Sequence, residues 1–328
     1  MLEATLLVVT IVLALTYAYA NGMNDAANAI ATVISTRVMT PAAAVVMGGV
    51  LNAAGALAGT AVARTIGKEI VDPGLMTQYA VISAILATVL WVFFATRLGL
   101  PVSVSHSLIA SVVGSAFGVA GLTALNGTVV TKVLLALALS PLFGFAGGFL
   151  FMVLMYWVFR RRAPATVNRI GSKLQMLAAA ALSFSHGRND GQNAIGIIAL
   201  AWAVYYAREV EIERWMILTS AAAIGLGTAI GGSRVIRTLG MRVTRLEPIH
   251  GFSANIMAAS VIESASQFGM PVSTTHTSAS SIMGVGATRR FSAVRWGVTR
   301  SIAMAWLVTY PVCLVLGYVL SRTLAFID

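Results

Sequence analysis

Asp25 and Asp190 are the residues whose type and setting first point to chemistry. Each stands in an otherwise apolar run, where a carboxylate is costly unless it is paired, protonated or ligated. Both belong to one pattern, Asn-Asp-x-x-Asn, as Asn24-Asp25-Ala26-Ala27-Asn28 and Asn189-Asp190-Gly191-Gln192-Asn193. On a helix the i, i+3 spacing brings Asp25 beside Asn28 and Asp190 beside Asn193 on one face. Oxygen ligands with few charges suit a hard cation, and neither a cysteine nor a His-x-x-x-His pair accompanies them to favour a transition metal. A helix-capping role would suit an aspartate but leaves the matched asparagine three positions on without a reason.

A second pair of motifs is rich in hydroxyls: Pro101-Val102-Ser103-Val104-Ser105-His106-Ser107 and Pro271-Val272-Ser273-Thr274-Thr275-His276-Thr277. Proline suits the first turn of a helix, where its missing N–H costs nothing, and free N–H groups at such a terminus bind oxyanions. Ser103, Ser105, Ser107, Ser273, Thr275 and Thr277 are therefore candidate oxyanion ligands. Close helix packing in lipid also selects small hydroxyl residues. That explains Ser111, Ser115, Ser278 and Ser280 well, but not hydroxyls at alternate positions beside a proline. His106 and His276 fall at equivalent places inside the clusters, and His186 precedes the second Asn-Asp motif. Orienting a hydroxyl or carbonyl suits all three better than carrying charge, since charging a buried imidazole is unfavourable.

These groups need elements to hold them, and the composition says where those elements lie. Of 328 residues, 58% are hydrophobic and only 10% charged, against about a quarter in a soluble domain, so the surplus apolar surface must face lipid. The net charge of +11 sits between apolar stretches with no basic run interleaved with aromatics, which argues against nucleic acid and reads as membrane topology. Cys313 is the single cysteine, so the chain has no internal disulfide and no multi-cysteine metal site. The stretch 1–20 carries Glu3 and no basic residue ahead of its apolar run, unlike a secretory signal; it is expected to be a first membrane helix. Runs near 4–20, 41–63, 76–96, 129–159 and 296–321 are long enough to cross a hydrocarbon core of roughly 30 Å. The segments 101–119, 271–287, 21–28 and 186–193 are too polar or too broken. Irregular backbone at membrane depth survives only where protein or a watery cavity surrounds it, so these four places are expected to interrupt helices and converge on one internal cavity.

Self-comparison strengthens that expectation. Besides the two motif pairs, Arg64-Thr65-Ile66-Gly67 recurs as Arg237-Thr238-Leu239-Gly240, in the same order along the chain. Two homologous halves are expected, 1–160 and 174–328, joined by a basic linker at 161–173. Their loops differ in charge. Arg64, Lys68, Glu69 and Asp72 cancel, whereas the matching loop holds Arg234, Arg237, Arg242 and Arg245 against Glu247; Lys132 stands alone where Arg289, Arg290, Arg295 and Arg300 cluster in the second half. By the positive-inside rule equivalent loops lie on opposite faces, giving an inverted repeat with the linker cytoplasmic and both termini outside. Inverted repeats with discontinuous helices are the architecture of secondary transporters, with substrate at the repeat interface near the bilayer midplane.

The motifs from Gly22 to Ala29 and from Ser185 to Ala194, together with the two Pro-Val-Ser-x-x-His-x sequences, resemble the inorganic phosphate transporter (PiT) family over nearly the whole chain. The resemblance implies symport of inorganic phosphate with Na+ or H+ across the cell membrane, and a homodimer. Arg188 departs from the small residue expected between Gly187 and Asn189, and Asn52 and Asn255 lie where some members have Glu. The expectation is an all-α integral membrane protein of two inverted-topology repeats with discontinuous helices and two re-entrant helical hairpins, a transporter and not an enzyme, without a cofactor and with Na+ as coupling ion. Phosphate is expected at the hairpin tips, among the six hydroxyls with Asn24 and Asn189. Na+ is expected at the Asp25 and Asp190 motifs, with Asn28, Asn193, Asn52 and Asn255. The alternatives are proton-coupled phosphate or metal-phosphate symport and, from another class, an intramembrane aspartyl protease using Asp25 and Asp190 as a proton-sharing dyad, which gives the hydroxyl clusters no role.

Overall fold

A computed structural model describes residues 2–231 and 233–326; the chain ends proper, residues 1 and 327–328, lie outside it. The apolar runs form helices, because a chain in lipid must satisfy its backbone groups internally. The first half is α1 (Leu2–Ser35), α2 (Pro41–Leu57), a short α3 (Ala61–Arg64) continued by a π-helical turn (Thr65–Glu69), α4 (Gln78–Leu98), α5 (Val104–Ala120) and α6 (Gly127–Phe159). The second repeats that order as α7 (Pro164–Tyr206), α8 (Arg214–Ile230), α9 (Ser233–Arg237) with its own π turn (Thr238–Arg242), α10 (Pro248–Gln267), α11 (Thr274–Ala287) and α12 (Trp296–Leu324). Among the described residues five helices are long and apolar enough to cross a membrane, or up to seven if each bent pair is one span. The expected linker is mostly helix: α7 already begins at Pro164.

Two expectations about breaks are corrected. The segments 21–28 and 186–193 do not interrupt their helices; both Asn-Asp motifs lie inside the unbroken α1 and α7, of 34 and 43 residues. Their polar side chains find partners on other elements, so the backbone ladder need not open. The breaks come instead after α2 and α8, the first with a 64° bend into α3. Nor do Pro101 and Pro271 occupy the first helical turn. Ser103 and Ser273 cap α5 and α11, each accepting a hydrogen bond from the N–H of the histidine three residues on, at 3.1 Å. The prolines help to end the preceding segment: α4 stops at Gly99 (φ 71°), and Gly269 (φ 67°) holds the equivalent turn after α10.

These turns fold α4 against α5 and α10 against α11 as two helical hairpins. Ser115 Oγ near the end of α5 donates to Ala80 O at the start of α4 (2.5 Å), and Ser281 Oγ of α11 donates to Ala254 O of α10 (2.9 Å). The halves interlock. α12 packs along α5, α6 along α11, α1 on α8 and α7 on α2. Equivalent glycines permit the last two approaches: a Cβ at Gly22 would come within 2.2 Å of Ile224 O, and one at Gly187 within 1.9 Å of Asn52 O. Each hairpin tip reaches the bent segment of the other half, with Gly99 O accepting from Thr238 Oγ1 (3.0 Å) and Gly269 beside Ala61 and Thr65.

Candidate functional site

The crossing helices bring both aspartates to one place. Asp25 and Asp190 are 2% and 1% exposed, and His186, one turn before Asp190 on α7, stands between them with Nε2 at 3.5 Å from Asp25 Oδ2 and 3.2 Å from Asp190 Oδ2. The three can offer ligand atoms within 4.8 Å of one another. The hairpin tips close over this cluster. Ser105 Oγ of α5 donates to Asp190 Oδ1 (3.1 Å), and Thr275 Oγ1 of α11 donates to Asp25 Oδ1 (3.0 Å). Thr274 Oγ1 lies between the carboxylates, 2.9 Å from Asp190 Oδ2 and 3.3 Å from Asp25 Oδ2.

Each motif's second asparagine works beside its aspartate, as the spacing predicts. Asn28 Nδ2 donates to Thr275 Oγ1 (3.0 Å), and Asn193 Nδ2 donates to Ser105 Oγ (3.2 Å) and to the buried phenol of Tyr17 (3.3 Å). With the amide nitrogens so engaged, Asn28 Oδ1 and Asn193 Oδ1 remain buried acceptors with no hydrogen-bond partner among the described residues. Buried polar oxygens are ordinarily satisfied. Two such acceptors flank the paired carboxylates, a set of oxygens that could hold a hard cation.

The other predicted residues divide into those that touch the cluster and those that do not. Ser107 and Thr277 turn back to their own helices, donating to Ser103 O (2.9 Å) and Ser273 O (2.7 Å). Asn24 Nδ2 donates to Thr96 Oγ1 (2.6 Å), and Asn189 binds the second tip, donating to Ser266 Oγ (2.8 Å) and Met270 O (3.2 Å) and accepting from Val272 N (3.2 Å). Asn52 reaches the carboxylates only through His186, whose Nδ1 lies 3.0 Å from its Oδ1, while its Nδ2 donates to Thr228 (2.5 Å). Asn255 accepts from Thr32 (3.1 Å) and donates to Ala29 O (3.3 Å). His106 and His276 lie ring against ring, centroids 4.5 Å apart and tilted by 31°, with the Trp306 ring 3.9 Å from His276. Arg188 forms an ion pair with Glu263 of α10.

A model described as "Phosphate transporter family" matches residues 21–169 and again 159–317. The chain belongs to the phosphate transporter family. Relatives within it include a "Probable low-affinity inorganic phosphate transporter" of Bacillus subtilis (strain 168), 38% identical over 316 residues and covering 95% of each chain. One of the same description from Rhizobium meliloti (strain 1021) is 39% identical over 309 residues, 93% of this chain and 92% of that one. A solved structure described as "The sodium-dependent phosphate transporter" superposes with a TM-score of 0.92 at 25% identity, over 99% of this chain and 100% of that one. The double match of the phosphate transporter model agrees with the two halves read from the motifs.

Two site residues escaped the sequence reading. The alternate spacing of the hydroxyls does not single out Thr274, yet two aspartates arriving from two helices give neighbouring residues of α11 a partner each. Tyr17 had a usable signal. It continues the stripe Asn21, Asp25, Asn28 and Thr32 by one helical turn along an otherwise apolar helix.

Proposed function

We propose that the protein is a carrier that moves inorganic phosphate together with Na+ across the cell membrane. Phosphate would lie at the two hairpin tips, between the α5 and α11 N-termini, where N–H groups and hydroxyls suit an oxyanion. Na+ would lie beside each Asn-Asp motif, one bounded by Asp25, Asn28 and Thr275 and the other by Asp190, Asn193 and Ser105. Cation and anion together enter a low-dielectric site at less electrostatic cost than either alone. The observation that carries the Na+ reading is the pair of buried amide oxygens, Asn28 Oδ1 and Asn193 Oδ1, without donors among the described residues; a proton on a carboxylate would leave them as they are. The sodium dependence named for the solved relative agrees with this reading. Proton coupling is the second reading, favoured by His186 Nε2 within 3.5 Å of both carboxylates. Family membership and the hydroxyls directed at both aspartates weigh against the protease alternative.

Uptake of radiolabelled phosphate into proteoliposomes under separate Na+ and H+ gradients tests the assignment, with Na+-driven uptake expected. The variant His186→Asn separates the readings further, retaining Na+-driven uptake if sodium is coupled and losing pH-driven uptake if the proton is. Uptake indifferent to Na+ across a range of pH overturns the sodium assignment.

The same reading takes the halves, 1–160 and 174–328, as inverted repeats with re-entrant hairpins, the linker cytoplasmic, both termini outside and the assembly a homodimer. The charge asymmetry between the Arg64 to Asp72 loop and the Arg234 to Glu247 loop supports the orientation. Cysteines replacing Lys68 and Arg242 in a Cys313→Ser background should react with an impermeant reagent from opposite sides of the membrane; reaction from one side refutes the inversion.

A further inference from the structure

Away from the aspartate cluster, a cavity of about 310 Å³ opens where the end of α6, the start of α7, the start of α10 and the end of α11 meet. Its inner wall is mostly apolar, with Met152 and Ile249 buried and Phe159 and Val167 packed against the same core, and its polar part is the buried His250, whose Nε2 is hydrogen-bonded to Tyr156 Oη and Arg289 Nε. Its mouth is basic, formed by Arg160, Arg162 and Arg289. The one carboxylate there, Glu247, is engaged by Arg289. Arg160 lies over the Trp157 ring, 4.9 Å from its centroid, and neither Arg160 nor Arg162 has a carboxylate partner among the described residues. The cap position of the 43-residue α7, Ala163, offers no side-chain acceptor to the first N–H groups, so the helix dipole adds positive potential at the same mouth.

We propose that this pocket is a second anion site, distinct from the transport site, for a phosphate group carried on an acidic lipid headgroup or free in solution. An apolar wall beneath two arginines without carboxylate partners, Arg160 and Arg162, fits a headgroup with an acyl chain below it, and basic pockets between membrane helices on the cytoplasmic side take anionic lipids. The exposed Trp157 marks this end as interfacial. The proposal rests on the cytoplasmic placement of the linker end and not on the coupling ion.

Phenylglyoxal modification of Arg160 and Arg162, read by peptide mass spectrometry on the full chain in phosphatidylcholine vesicles, tests it. Arg37, exposed and on the same proposed face, is the internal control. Adding phosphatidylglycerol should slow modification of Arg160 and Arg162 about tenfold more than that of Arg37, which identifies the lipid as the source. Protection by inorganic phosphate in pure phosphatidylcholine, against chloride at equal ionic strength, identifies the free anion instead. Protection by neither, or equal slowing of Arg37, overturns the site. The double variant Arg160→Gln and Arg162→Gln should keep Na+-driven uptake in phosphatidylcholine and lose phosphatidylglycerol retention about fivefold per removed charge. Asp25→Asn protein, in which the transport reading expects uptake to fail, should still show the protection, so the two readings fail separately.

Discussion

The halves of this transporter share a backbone plan but not a chemistry. Asn24 and Asn189 occupy equivalent places, yet Asn24 makes one bond to Thr96 and keeps a buried Oδ1 without a partner among the described residues, whereas Asn189 binds Ser266, Met270 and Val272. Where the second half has His186, the first has Asn21; where it has Thr274, the first has Val104; the ion pair Arg188–Glu263 corresponds to Met23 and Phe93. The difference teaches that duplication supplies the frame and the second half supplies most of the polar load at the centre. His186 and Thr274 each touch both carboxylates, so residues of one half serve the aspartates of both. The first hairpin is instead fixed at its tip from α9, where Arg234 donates to Arg97 O.

The comparison is sharpest where the halves should fail alike. Asp25→Asn and Asp190→Asn keep shape and remove charge, and each should weaken Na+ binding by about 10- to 100-fold, the value of hydrogen bonds and contacts to a buried charged group. Phosphate affinity at fixed Na+ should fall with it by linkage. Isothermal titration of both ligands checks this, and a variant that keeps full Na+ affinity would confine the cation to one half.

The largest expected asymmetry is at Thr274. Thr274→Val removes the hydroxyl shared by both carboxylates and should lower uptake about tenfold or more, while Val104→Thr, which makes the first half read like the second, should change it by less than about threefold. Equal effects in proteoliposome uptake would mean that the two tips are interchangeable.

Within each tip the expected loss follows hydrogen-bond direction. Ser105→Ala and Thr275→Ala should each weaken phosphate-dependent binding by about tenfold. Ser107→Ala and Thr277→Ala should stay within about threefold, because those hydroxyls donate to the backbone of their own helix and not to either aspartate. Phosphate titration of the four variants orders them, and a dominant effect at 107 or 277 would shift the anion site deeper along α5 or α11.

The smallest effect belongs to the ion pair that only the second half carries. Arg188 and Glu263 are each about a quarter exposed, and Glu263 Oε2 is buried without a hydrogen-bond partner among the described residues, so losing one partner costs more than the about 0–1 kcal/mol of a fully exposed pair. Arg188→Met should therefore lower thermal stability while leaving uptake little changed, and adding Glu263→Phe, which restores the first half's pairing, should recover the stability. A collapse of uptake with unchanged melting temperature would instead place Arg188 on the path of phosphate.

Much of this was legible from residue types alone, and the limits were physical. A hydropathy pattern reports where helices lie, but a polar interruption looks the same whether the helix breaks or its side chains find partners across the fold. Asn21 to Asn28 therefore reads as an interruption of α1 and is not one, while the bend after Leu57 falls inside the apolar run 41–63 and the one after Ile230 begins at Gly231 (φ 66°). The hydroxyl clusters were recognisable as hairpin tips from their proline and serine, but Ser103, Ser105 and Ser107 differ in task only because the helix turns each toward a different neighbour.

The sequence by itself determined the membrane class, the duplication, the paired Asn-Asp and Pro-Val-Ser motifs and the i, i+3 partnership of each aspartate with its asparagine, because these rest on composition, local spacing and self-similarity. Only the tertiary structure decided that both carboxylates share one cluster with His186, that Thr274 sits between them, and that Asn255 stands apart while Asn52 acts through an imidazole. Such facts depend on how α1 and α7 cross the opposite half and where each hairpin tip lands, and no periodicity within a single segment encodes the distance between residues more than a hundred positions apart.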